Sequence, residues 1–145
     1  MIRKEESGNL TANFLSKNQI IRFFVIVKQI DMTLADFKNK LQNNPTAIDF
    51  SETIATIENT YEFTPSAFTN GELKNEETQN QGSCKVFSFA VKQGLTKEET
   101  LACFGQYYFK EVLEDPNGTG HQNIRNFMNT GFDGLSFEKE TLVEK

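Results

Sequence analysis

The sequence predicts an α+β domain, predominantly helical, in which about five helices pack around a small β-hairpin or sheet. Three observations predict it. Apolar residues recur at helical spacing in several segments, and each segment follows a residue able to cap a helix. Asn70-Gly71 stands between short runs of alternating character, the strongest local signal for a tight hairpin turn. Fourteen phenylalanines and no tryptophan supply a bulky interior to a chain of 145 residues, long enough to bury a core without metal or disulfide staples.

Residues 1–31 fit this scheme least. MIRKEESGNLTAN is polar, and NFLSKNQIIRFFVIVKQI is apolar but interrupted by Lys17, Arg22 and Lys28. Its longest uncharged run, Phe23 to Val27, is too short to cross a bilayer, and no small-residue cleavage site follows it. Three readings stand for this N-terminal extension: an amphipathic element laid on the domain, a secretion or membrane-surface leader, or sequence upstream of a true start at Met32. A freely exposed FFVIV is an aggregation hazard.

The regular elements begin at Thr33, which can cap a helix carrying Leu34, Phe37 and Leu41 until Asn43-Asn44-Pro45 ends it. Ser51 is placed to cap a second helix, with Ile54, Ile57 and Tyr61 as its apolar stripe. Pro65 marks a strand entrance. With Asn70 and Gly71 as the loop of a type I′ turn, Thr69 faces Glu72 and Phe68 faces Leu73. Asn75 to Gly82 reads as a loop and Ser83 as the cap of a central helix, Cys84 to Gln93, stopped by Gly94. Val86, Phe89 and Ala90 on one face, with Phe87 and Val91 on the next, give it too wide an apolar surface for an outer helix. Thr96 and Glu99 form a capping box for a helix bearing Leu101, Phe104, Tyr108 and Val112. After the turn Asp115-Pro116-Asn117-Gly118, Thr119 and Gln122 repeat that pattern before Ile124, Phe127 and Met128, and Gly131 closes the helix. Leu135 and Phe137 alternate as a last short strand, and residues 139–145 read as a fraying tail beyond a domain spanning 32–138.

The formal charge is -5, and residues 1–31 hold five basic against three acidic side chains. That leaves -7 on residues 32–145 (ten basic, seventeen acidic), an acidic domain unlike a nucleic-acid binder, which carries a basic stripe. Cys84 and Cys103, outside any CxxC arrangement, fit a reducing cytosol. No phosphate-cradling glycine loop, HExxH or GxSxG is present, which argues against the common hydrolase and transferase classes.

Several uncommon words occur here in one order: MTLADFKNKL, FSETIATIENTYEFTPSAFTNGEL, QNQGSCKVFSFA, GLTKEETLACFGQYYFKEVLEDPNGTG and HQNIRNFMNTGFDGLSFE. In these blocks, from Met32 to Phe137, the chain resembles the HopJ type III effector family. Two positions depart from the family's pattern: Gly120 stands where an aspartate is expected before HQNIRNFM, and Phe132 where a tryptophan is expected. The resemblance implies cargo of a bacterial type III secretion system, held in the bacterial cytoplasm and exported to a host cell. It implies no particular reaction.

The chemistry-bearing candidates are few. Cys84 and His121 are the pair to consider for a thiolate nucleophile and its base, with Asn123 or Asp133 orienting the ring; free cysteines are also commonly just buried. Cys84, Cys103 and His121 lack the close spacing of metal ligands, so no metal and no cofactor is expected. The candidate binding residues are Asn70, Tyr108, His121, Asn123 and Arg125, with Gln122 and Asn129 sharing the polar side of the Arg125 helix. Two functions follow: an interaction protein that binds a partner protein in a host cell, or a housekeeping cytosolic domain whose ligand or enzymatic pocket is lined by Cys84, Tyr108, His121 and Arg125.

Overall fold

The computed structural model describes residues 33–145; the expectations placed on residues 1–31 lie outside the described residues. In chain order the elements are α1 (Leu34–Asn43), α2 (Phe50–Thr60), β1 (Tyr61–Phe63), β2 (Phe68–Asn70), β3 (Leu73–Asn75), α3 (Gln81–Gln93), α4 (Lys97–Ala102), a π-helical segment (Tyr107–Val112), α5 (Gln122–Thr130), β4 (Leu135–Phe137) and β5 (Leu142–Glu144). Among the described residues, five α-helices thus pack with two small antiparallel sheets, β1-β5 and β3-β2-β4, the α+β, mainly helical class that the periodicity predicts.

Helix α3 is the centre. Cys84, Val86, Phe87, Ser88, Phe89 and Ala90 are all buried along it, because neighbours pack around its middle. Phe89 meets Phe37 of α1 and Tyr61 of β1 edge-on. Phe87 meets Phe68, Phe104 and Phe127 at centroid distances of 6.3, 5.4 and 5.0 Å. Each buried phenylalanine contributes roughly 1.5–3 kcal/mol of burial, so this cluster dominates what holds the elements together.

Thr33 caps α1 and the capping box of Thr96 with Glu99 forms, both as expected; Thr33 also boxes with Asp36, which the sequence reading did not name. Elsewhere tertiary contacts move the boundaries. Asp49, not Ser51, caps α2 and boxes with Glu52. Helix α2 ends at Thr60, so Tyr61 serves in a strand. The central helix starts at Gln81 behind Asn80, so Ser83 lies in its first turn and does not cap it. Thr119 does not cap α5 either: Gln122 donates to the Thr119 carbonyl and His121 takes the cap position. The helix opened by Thr96 breaks at Gly105, whose φ is +57° and where a Cβ would lie 2.6 Å from the Phe50 amide nitrogen. Leu101, Phe104 and Val112 are nevertheless buried together.

The hairpin's loop lies one residue later than expected, which shifts the pairing by two residues. Phe68 pairs with Asn75 and Asn70 with Leu73, leaving Gly71-Glu72 as the loop. Positive φ occurs at Gly71 alone of the two, the pattern of a type II′ turn. Asn70 is held in the strand because its side chain donates inward to Asn123, while the Gly71 amide donates to Gly134. The tail is a strand as well: Leu142–Glu144 pairs with Tyr61–Phe63, Leu142 is fully buried, and Thr141 bonds Ser88.

Candidate functional site

The N-terminal ends of α3 and α5 line one cleft of about 500 Å³, together with Phe50, Leu73, Phe104 and Tyr107. The local chemistry of the two helix starts is the same. Asn80 and His121 hold φ of 51° and 58°, the only non-glycine positive values among the described residues, and neither side chain caps its helix. An ordinary N-cap accepts a hydrogen bond from the first-turn amides. Here the amides of Gly82, Ser83, Gln122, Asn123 and Ile124 have no acceptor among the described residues, and all five residues line the cleft.

One wall is aromatic. The His121 ring stacks on Tyr107 (centroids 5.2 Å, planes 27° apart), Tyr107 leans on Phe50, and Phe50 stacks on Phe104. His121 Nε2 lies 3.1 Å from Glu111 Oε1, which sets the ring's orientation, and Nδ1 has no partner among the described residues. Gly82 permits the close approach of its helix to this wall: a Cβ there would lie 3.4 Å from the Phe50 ring.

The floor is a cluster of asparagines. Asn123 Nδ2 donates to Asn75 Oδ1, Asn70 Nδ2 donates to the carbonyl and side chain of Asn123, and Asn80 Nδ2 donates to Asn75 Oδ1. The network joins the hairpin to both helix starts. Asn70, Asn75 and Asn123 are buried.

Of the candidates read from the sequence, His121 and Asn123 line the cleft and Asn70 lies beneath it. Arg125 does not reach it. Its Nε donates to the Gly120 carbonyl and its Nη1 to that of Pro116, so the guanidinium ties down the 116–120 loop beside a separate hollow. Nor does Tyr108 line the cleft; burial and then the charge of Glu98 push its hydroxyl pKa up. Cys84 is fully buried with its Sγ 3.9 Å from the Ser66 carbonyl, and burial raises its pKa. Burial, with Glu99 adding to it, raises Cys103 further. Both thiols are therefore held neutral, and the expected pocket of Cys84, Tyr108, His121 and Arg125 is not assembled. The sequence reading missed Asn80, Ser83, Tyr107 and Glu111. A signal existed for Asn80 alone: asparagine is the side chain most tolerant of left-handed backbone, and it stands just before Gln81-Gly82-Ser83.

Among the described residues no group of three or more His, Cys, Asp or Glu side chains is placed to hold a metal, and no helix is long and apolar enough to cross a membrane. The position of Gly120 is open, with nothing within 4 Å of a Cβ built there, and Phe132 packs edge-on against Phe127. Both departures from the family pattern are thus accommodated.

Comparison with known proteins agrees with this architecture. No curated protein matches the chain. A solved structure described as the crystal structure of unknown function protein VPA0580 superposes with a TM-score of 0.75 at 49% identity, covering 77% of this chain and 93% of that one. The HopJ type III effector protein family matches residues 34–142, which takes in the β5 residue Leu142 as well as every element lining the cleft. The chain belongs to the HopJ type III effector protein family.

Proposed function

We propose that this protein acts by binding, without catalysing a reaction, and that the cleft recognises a carboxylate or carbonyl group of its partner. The observation that carries this reading is the meeting of two helix starts at one aromatic-walled cleft lined by five residues whose main-chain amides have no acceptor among the described residues. Such amides, at the positive ends of two helix dipoles, suit a group that accepts several hydrogen bonds at once. Capture of a chain terminus or an acidic side chain by main-chain amides is a known mode of peptide recognition. The charge of -7 on residues 32–145 repels a polyanion, which favours a ligand with one acceptor group and an apolar or planar body to lie on Tyr107 and His121.

Family membership supports the rest of the proposal: a protein kept in the bacterial cytoplasm, exported by a type III system and binding a protein in the host cell. A small domain without disulfides suits passage through a narrow channel, which requires unfolding.

Titration of the isotope-labelled full chain with acetate, and with a tripeptide bearing a free C-terminus, tests the site. Saturable amide shifts at Gly82, Ser83, Gln122, Asn123 and Ile124 are expected, with the tripeptide weakened by Tyr107→Ala. Shifts scattered over the surface, or none, overturn the assignment. Export is tested separately with a reporter fused to the full chain and followed into host cells.

A further inference from the structure

We propose that the edge of β4 left unpaired among the described residues and the groove beside it form a second docking surface, which takes an extended peptide of alternating apolar and basic residues by strand addition. This does not rest on the cleft. Among the described residues, strand β4 pairs with β2 on one side only. The Gly71 amide donates to Gly134 and the Glu138 amide to Ala67, so in the antiparallel alternation Ser136 exchanges its main-chain bonds with Thr69. The main-chain groups of Leu135 and Phe137 therefore point away from β2. The Leu135 amide is already given to Phe132. What remains is the Leu135 carbonyl and both main-chain groups of Phe137, a short ladder awaiting a strand.

Beside that edge lies an apolar groove of about 570 Å³ between β4 and the C-terminal end of α3, walled by Ala90, Val91, Leu95 and Phe132. Val91 is 55% exposed there, although it belongs to the helix that forms the core. A strand laid on β4 sends alternate side chains toward the groove.

The occupant follows from the charges at the two ends of the edge. Asp133 and Glu138 bracket β4, both are exposed, and neither has an ion-pair partner among the described residues. A basic residue at either end of the incoming strand meets one of them. A second copy of this chain would bring another -7 domain to the same edge, so a cationic partner is favoured over self-pairing.

The test uses the full chain and a synthetic heptapeptide alternating valine with lysine. Expected are saturable binding, amide shifts at Leu135, Phe137 and Val91, and roughly tenfold weaker binding when glutamate replaces lysine. Methylating the peptide nitrogens that face the ladder should abolish binding, and Val91→Lys, at an exposed position that does not threaten folding, should weaken it. Equal binding of the methylated peptide would overturn strand addition. No saturable binding, or a dimer through β4 in sedimentation, would overturn the proposed partner.

Discussion

At the residue scale, two glycines with the same backbone angle separate the cost of conformation from the cost of space. Gly94 and Gly105 have φ of +64° and +57°, but a Cβ at Gly94 meets nothing within 4 Å, whereas one at Gly105 meets Ile48 O at 2.7 Å. Gly94→Ala should therefore cost about 1–2 kcal/mol, the left-handed penalty alone, and Gly105→Ala distinctly more, because the backbone before α2 has to move. Urea denaturation of the two variants checks the order; equal losses would mean that the close approach carries no energy. The asparagine cluster gives a second prediction. Asn123→Ala removes the side-chain oxygen that the Asn70 and Asn75 amides share and one of the two donors to Asn75 Oδ1, leaving those amides only the Asn123 and Phe68 main-chain carbonyls, and should cost about 1–2 kcal/mol. Asn129→Ala, at an exposed position on the same helix, should be nearly neutral. The same asparagine explains why the turn was only half legible. An Asn-Gly pair announces a hairpin, but its register was decided by where the Asn70 side chain bonds, on a helix more than fifty residues away.

At the element scale, the C-terminal strand was the least legible part. Leu142 and Val143 stand among charged residues, and a short segment whose pairing partner lies eighty residues earlier carries no periodicity of its own. The cap at Thr33 and the capping box at Thr96 were readable because the groups they join lie within four residues. Strand β5 is integral to the fold: Leu142 is fully buried, the strand packs against α3, and the adjacent Thr141 bonds Ser88 of that helix. Leu142→Ala is expected to cost about 2–5 kcal/mol. Removing residues 139–145 should destabilise the whole domain, read as a fall in the urea midpoint; an unchanged midpoint would mean that the strand is dispensable. For the cleft, the sequence showed His121 and Asn123 but not their setting, since the two helix starts meet only after the hairpin has been folded between them.

At the scale of the whole molecule, one aromatic chain links both surfaces. From His121 it runs through Tyr107, Phe50 and Phe104 to Phe87, and from there through Phe68 to Phe137 beside the groove. Both thiols are enclosed in the same body of packing: Cys103 lies next to Phe104 in the chain, and Cys84 one turn before Phe87 on α3. Their burial makes stability depend on pH in a defined direction. In the unfolded chain a thiol ionises near its ordinary value of 9.0, while in the folded protein burial raises Cys84 above that value and Cys103 well above it. A group whose folded pKa is raised contributes stability that is complete below the unfolded pKa and declines as pH rises beyond it. Urea stability should therefore be unaffected by the thiols up to about pH 8 and should fall above pH 9, with a slope of about 1.4 kcal/mol per pH unit for a thiol as enclosed as Cys103. Tyr108 adds a decline of the same sign at higher pH, so the window just above pH 9 isolates the cysteines. Cys103→Ala should flatten the slope there, and thiol reagents should label the native protein only as fast as it opens. Rapid labelling at neutral pH, or an alkaline slope unchanged in Cys103→Ala, would show that the phenylalanine core does not seal these side chains from water.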